Sequence, residues 1–485
     1  MKFITSKALF AAAAGTLAAS VASAAPQVDK TAVKAGTVIT LDGDTIENGV
    51  IVIEGGRITA VGPVSDVQIP WDAEVIDQPD LVAFPGFVEA HVARGIDRAN
   101  ETLDVAPFLD VRDSIDPVNF YFEEALRNGI LTINVQQGNE TVIAGQGMVV
   151  KPYGMTVEQM MVKPRSAVKM SAAPKRGKTR ATQTQALRGA FQDLERYLRE
   201  MVQRRKEGSD FDRREALYQG RELEGEAAKG RPLRSEAWSI DGFELVPRGE
   251  VDEKQEPLLN VIEGRLPVIM WCERPMDVRA ALRVAETNGF TGTTTLALAP
   301  ACWKAAKEIA AAGCSVILSS TLVHTERDPI TGEETETFVP KVFHDAGIPF
   351  ALMSSSDANR SLWFQAAQCV ANGIPREAAL AAVTTTPAAI LGLEERVGRL
   401  ANGTDGHIVL FSGDPLDVTS VVQHVILDGA HVYDRSTDVR IQQLLDGTRP
   451  PGTAAEDPDL EPWPGDGDGP EDDEEDEDGD DEDQR

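Results

Sequence analysis

Phe84-Pro85-Gly86-Phe87-Val88-Glu89-Ala90-His91-Val92-Ala93 reads as an apolar strand entered through a Pro-Gly step and ending in a single imidazole. Alternate residues on a strand point the same way, so His-x-His at a strand end would aim two nitrogens at one point. Here the second position is Ala93, whose methyl group donates nothing. A hydrolytic zinc-type centre needs three protein ligands and an open position for water, so the missing donors must come from elsewhere. Supply is thin: the 485 residues include only 6 His, and none lies between His91 and His324.

Upstream of this stretch, Thr37–Leu41 and Val50–Gly62 alternate in character and are punctuated by Asp42-Gly43-Asp44 and Gly55-Gly56, which predicts antiparallel strands joined by tight turns. A matching pattern returns in Gly403–Tyr433, so the two ends are expected to build one discontinuous domain. Downstream, apolar strand-like runs alternate with helical ones, the pattern of a parallel α/β barrel. The strand-like runs are Ile130–Val135, Leu266–Trp271, Gly292–Leu298, Ser315–Leu318 and Pro349–Met353, and helices fit Met276–Asn288 and Trp303–Ala312. Functional side chains on such barrels sit at the carboxyl ends of the strands. Between Met160 and Asp252 a highly charged excursion includes a helical stretch, Ala186–Arg205, apolar on one side only.

The first residues read as an export signal: basic Lys2 and Lys7, an apolar run Ala8–Val21, and Ala22-Ser23-Ala24 as an A-x-A cleavage site. The run is shorter than a bilayer span requires, so an exported, periplasmic or extracellular protein without a membrane span is expected. At the far end, Glu456–Arg485 holds 18 carboxylates against one Arg, about half of the formal net charge of -31. With almost nothing apolar to bury, it is expected to be a disordered, solubilising tail. The acidic surface disfavours nucleic acid, whose phosphates it would repel. Cys272, Cys302, Cys314 and Cys369 show no metal-type spacing and read mostly as buried thiols.

The quoted strand resembles the first-strand signature of the amidohydrolase superfamily, in which Pro-Gly, two apolar residues, an acid and His-x-His lead to a metal. Asn139–Lys151, Met170–Arg176, the helix Thr384–Gly392 and the closure from Gly398-Arg399-Leu400 to Gly413-Asp414-Pro415 resemble, in order and spacing, its imidazolonepropionase-like members. The resemblance implies an α/β fold: a (β/α)8 barrel with a small β-sandwich built from both chain ends. Between the signal peptide 1–24 and the acidic tail 446–485 read above, it divides the chain into sandwich 25–81, barrel 82–393 with the excursion at about 160–252, and sandwich 394–445.

It further implies hydrolysis of non-peptide or cyclic amide C–N bonds with a divalent metal such as zinc. The family's fifth-strand His is replaced here by Trp271-Cys272-Glu273, and its sixth-strand His by Leu298 or a neighbour. What remains is His91 and Asp357 as ligands, Asp357 also as the base that takes a proton from water, and Glu273 as a substitute oxygen donor. Lys151 is a weaker candidate for the carbamylated lysine of related enzymes. Asp357 also fits a helix N-cap, and Cys272 with Cys302 could offer thiolates. His324 is expected in a loop, and His407, His424 and His431 in the sandwich. Two expectations therefore stand: a hydrolase holding one divalent metal, or a metal-free, inactive binding module for an amide-like small molecule. The second would act alone, as a homo-oligomer, or beside an intact amidohydrolase relative.

Overall fold

The computed structural model describes residues 30–208, 232–354 and 361–447. The export segment 1–24, most of the acidic tail, part of the charged excursion and Asp357 lie outside the described residues. Residue contacts divide the chain into two units, 1–434 and 435–485. In the second, Asp438 caps the helix Val439–Asp446 by accepting from the amides of Arg440 and Ile441.

In the first unit, strands from residues 30–84 and from residues 408–434 meet in one seven-stranded sheet. Its early strands are β1 (Lys30–Val38), β2 (Ile46–Glu54), β3 (Arg57–Pro63) and β4 (Glu74–Phe84). β1 pairs antiparallel with β2 and β2 with β3, as the Gly55-Gly56 turn predicts, whereas β1 and β4 run parallel. The expected strand at Thr37–Leu41 is instead the end of β1, which stops at Val38. Close approach of β1 to β4 requires Gly36, since a Cβ there would lie 2.1 Å from the Pro79 carbonyl oxygen. Gly36→Ala is therefore expected to cost about 2 kcal/mol, read as a lower urea midpoint, because backbone rather than a flexible side chain must move.

The Pro85-Gly86 step then turns the chain out of this sheet and into β5 (Phe87–Val92). Gly86 adopts φ +78°, and a Cβ would meet the Leu131 side chain at 2.6 Å, so only glycine fits. Phe84 and Phe87 on either side of the turn pack with Phe411 at ring-centroid separations of 5.1, 6.0 and 6.1 Å, which fixes where β5 begins.

β5 pairs in parallel with β6 (Ile130–Val135), and that sheet continues through β8 (Met148–Val150) and β9 (Met161–Lys163). A six-stranded sheet holds β7 (Ile143–Gln146), β10 (Val168–Ser171), β11 (Val268–Cys272), β12 (Thr294–Leu298), β13 (Val316–Leu318) and β16 (Phe350–Leu352). From β10 to β16 every neighbouring pair is parallel. The two sheets share an interior: Ala90, Ala167, Ile269, Ala297, Ile317 and Ala351 form one buried apolar cluster. Residues beyond β16 bridge the remaining edge, since the Leu352 amide donates to Ala382 at 3.0 Å and the Val88 amide to Val383 at 2.8 Å.

The charged excursion contains a long helix, Arg180–Gly208, whose Leu187, Phe191, Leu194 and Leu198 are buried while its charged residues face out. That spacing is the amphipathic pattern seen in the sequence. β14 (Val323–Arg327) and β15 (Glu334–Phe338) form a separate antiparallel hairpin. His324 thus lies on a strand, opposite Thr337, and not in a loop; alternation of Thr325 and Arg327 with their neighbours satisfies a hairpin once Gly332 supplies the turn. The last strands of the large sheet are β17 (Ile408–Phe411), β18 (Val422–Leu427) and β19 (Ala430–Asp434). Among the described residues, no helix is long and apolar enough to cross a membrane.

Candidate functional site

His91, near the end of β5, is 5% exposed and faces Lys169 of β10, which is fully buried. The Lys169 Nζ to His91 Nε2 distance is 2.6 Å. Burial, followed by the neighbouring Lys169 charge, holds the imidazole pKa well below its ordinary range, so His91 is neutral near pH 7. Burial also lowers the Lys169 pKa to about 7. With the ring proton donated to the backbone of Gln137, Nε2 is left to accept from the Lys169 amine.

Further buried polar side chains lie on β6 and in the segment just before β10. Asn134 Nδ2 donates to the Ala90 carbonyl at 2.8 Å, and Ser166 Oγ donates to Asn134 Oδ1 at 2.6 Å. Gln136 is fully buried, and its Oε1 has no hydrogen-bond partner among the described residues. A second buried ionisable group is Glu89, also on β5. Burial pushes its pKa up to about 7, against the opposing pull of Ser354, the His91 backbone and Arg94. The Ser354 amide donates to both Glu89 carboxylate oxygens, at 3.2 and 3.0 Å. This contact brings the end of β16, three residues before Asp357, against β5.

Of the other sequence candidates, Cys272 lies near enough to Lys169 to act on its charge, whereas Glu273 and Lys151 have other partners and Asp357 lies outside the described residues. Glu273, just beyond β11, is exposed, and its carboxylate sits 3.6 Å from Arg180. Trp271 is partly buried, packed against the interior apolar cluster. Cys272 and Cys302 are buried free thiols. Burial raises the Cys272 pKa well above its ordinary value and that of Cys302 to about 12, so both stay protonated, unlike the thiolates considered from sequence. Cys302 Sγ donates to the Cys272 carbonyl at 3.3 Å. Asp357 lies outside the described residues.

Lys151 forms an ion pair with Asp428 of the large sheet, and His407 Nε2 is 3.2 Å from the other carboxylate oxygen. The interior lysine is therefore Lys169, which the sequence reading did not single out. Its signal was available: a lone cation inside the apolar run Ala167-Val168-Lys169-Met170 is buried if that run is a strand of a parallel sheet covered on both faces.

Near the carboxyl ends of β13 and β16 a cavity of about 680 Å³ is lined by Ser320, Thr321, Leu322, Val323, Phe364, Gln365 and Gln368. Its size suits a small molecule, and its lining mixes apolar surface with a few polar groups. Among the described residues, the one His/Cys/Asp/Glu group spaced to hold a metal ion is His424, His431 and Asp434, on β18 and β19.

A family model described as "Amidohydrolase family" matches residues 361–433. Amidohydrolase tasK of Hapsidospora irregularis is 34% identical over 96 residues, 19% of this chain and 10% of that protein. A 5-methylthioadenosine/S-adenosylhomocysteine deaminase of Moorella thermoacetica is 41% identical over 63 residues, 13% of this chain and 15% of that protein. The chain thus spans a small part of either relative. An amidohydrolase structure from Thermotoga maritima MSB8 superposes with a TM-score of 0.65 at 24% identity, covering 84% of this chain and all of that one.

Proposed function

We propose, from the premise that this chain belongs to the amidohydrolase superfamily, that it binds a small amide-like molecule at the strand ends and has given up metal-dependent hydrolysis there. The fold we assign is a (β/α)8 barrel carrying a smaller β-domain made from both chain ends. The common interior of β5, β11, β12, β13 and β16 supports it, as do the Ala382 and Val383 bridges.

The observation that carries the functional reading is the 2.6 Å contact between Lys169 and His91. The one imidazole of the site spends the lone pair of Nε2 on an amine. Ala93 supplies no second nitrogen, the neighbouring thiol of Cys272 is protonated, and Glu273 is directed to Arg180. Such a donor set does not fit a hydrolytic metal centre, which needs several deprotonated ligands converging on one point. The same residues suit recognition. Lys169 and the second N–H of Asn134 bring donors, and Gln136 brings an acceptor without a partner among the described residues, to buried polar positions that an amide's carbonyl and N–H could satisfy.

A second reading rests on a different observation. Glu89 and Lys169 are both buried with pKa values of about 7, which equips the site for proton transfer without a metal. In that reading the chain hydrolyses C–N bonds, with Asp357 as a further base. One experiment separates the two. The full chain is assayed against linear and cyclic amides and aminopurines, with and without added zinc, beside His91→Ala. We expect no turnover above background, together with saturable ligand binding that weakens at least tenfold in Lys169→Met. Zinc-dependent hydrolysis abolished by His91→Ala would overturn the binding reading. Zinc-independent hydrolysis with a bell-shaped pH profile would establish the second reading.

Export by the amino-terminal segment, and assembly as a homo-oligomer or with an intact amidohydrolase relative, complete the proposal. An inactive barrel that retains a ligand site gains a role when it regulates or positions an active partner.

A further inference from the structure

Three of the chain's 6 His lie in or beside the last three strands of the large sheet, away from the His91 interior. Two of them, His424 and His431, gather with Asp434 on the β18–β19 hairpin. Strand geometry alone would not bring them together. His424 pairs directly with Asp434, but His431 is three residues before Asp434 and in a regular strand would point to the opposite face. The register shifts between Val425 and Ile426, so that Val425 opposes Tyr433 while Ile426 opposes His431. Val432 is thus an extra residue, and this bulge turns His431 onto the same side as Asp434.

The resulting distances match a metal site. His431 Nε2 lies 3.2 Å from His424 Nδ1, and His424 Nδ1 lies 3.8 Å from Asp434 Oδ1. All three donor atoms fall within 4.8 Å of one another. A tetrahedral ion with ligands at about 2.0–2.1 Å separates its donors by about 3.3 Å. Hydrogen bonding alone serves this arrangement poorly. His424 Nδ1 can accept from His431 or carry a proton toward Asp434, but one nitrogen cannot do both at once. A cation between the three atoms satisfies all of them. His431 is exposed and the His424 side chain is 15% exposed, so an ion can enter and keep a water as its fourth ligand.

We propose that His424, His431 and Asp434 form a binding site for one divalent transition-metal ion, with zinc as the best match to two imidazoles and a carboxylate. The donor set is too nitrogen-rich for calcium or magnesium, which take oxygen ligands. The bound ion clasps β18 to β19 and is independent of the interior site.

The test titrates zinc into the full chain against a chromophoric chelator, in excess magnesium to saturate the acidic carboxylates, and compares His431→Ala and Asp434→Asn. We expect the wild type to take up one tight equivalent that is lost or weakened about 100-fold in both variants, since even outer partners of a ligand contribute 10–100-fold. Cobalt in place of zinc should give the intense visible bands of a four-coordinate ion in the wild type alone. Thermal unfolding in chelator establishes that the variants fold. Superimposable zinc curves for wild type and His431→Ala, or a weak six-coordinate cobalt spectrum, would overturn the proposal. Neither result depends on hydrolysis or on ligand binding near His91.

Discussion

Lys169→Met is expected to stabilise the protein by about 4 kcal/mol just below pH 7, with the gain vanishing as the pH approaches 10.5. The lysine is fully buried, and among the described residues it has no carboxylate partner and meets His91 at 2.6 Å. Its folded pKa of about 7 lies below the ordinary 10.5, so between these values the unfolded chain holds the proton and the folded chain does not. Wild-type stability from this group therefore rises with pH through that window. Below it both states are protonated, and the cost of burying an ammonium, about 5 kcal/mol, is fully present. Methionine fills similar volume without charge, at the loss of one hydrogen bond to His91 of about 1 kcal/mol. Guanidinium unfolding of both proteins at pH 7 and pH 10 measures the difference. A variant less stable than wild type at both values would show that Lys169 is held by interactions stronger than its burial cost. Acid unfolding below pH 6.5 remains in both proteins, because His91 is buried neutral and must gain a proton on unfolding.

Glu89→Gln should behave with the opposite pH sign. The carboxyl group's folded pKa of about 7 lies above the ordinary 4.5, so across that window the folded chain holds the proton and the unfolded chain does not. Stability from Glu89 falls as the pH rises from 4.5 to about 7, and above that the loss is complete, about 3 kcal/mol. Glutamine is neutral, and its carbonyl can still accept from the Ser354 amide. The substitution should be nearly neutral at pH 4 and stabilising by about 3 kcal/mol at pH 8, read from paired unfolding curves. A gain that does not change with pH would mean that the carboxyl group keeps one protonation state throughout. Near neutrality the costs of Glu89 and Lys169 coincide. A fold that buries two such groups sacrifices stability near neutrality, a signature that functional sites share.

Much of the architecture was legible because it rests on local pattern. Ile130–Val135 is a strand with the expected limits, and Met276–Asn288 lies within the helix Pro275–Asn288. The return of strand character after Gly403 suggested one discontinuous domain, and in the structure β17 pairs with β4 in a single sheet. Apolar periodicity and glycine punctuation encode such elements over a few residues at a time. The parallel pairing of β1 with β4 was less visible, because parallel partners are distant in sequence and no turn announces them.

At the candidate site the balance reverses. The quoted strand revealed at once that His91 stands without a second imidazole at residue 93, since side-chain alternation is a property of the strand itself. Lys169 required the fold: it lies 78 residues from His91, and only the placement of β5 and β10 across one interior sets an amine against that imidazole. The same holds for Lys151, which resembled a site lysine in sequence but is drawn to Asp428 across 277 residues. His424, His431 and Asp434 show both levels together. The sequence places them within one hairpin, but a single extra residue in β19 decides that their donor atoms converge. Residue type and spacing determine which chemistry is available, whereas burial and long-range register determine its protonation state and its partner. The latter two depend on the low-dielectric interior that only the folded chain creates.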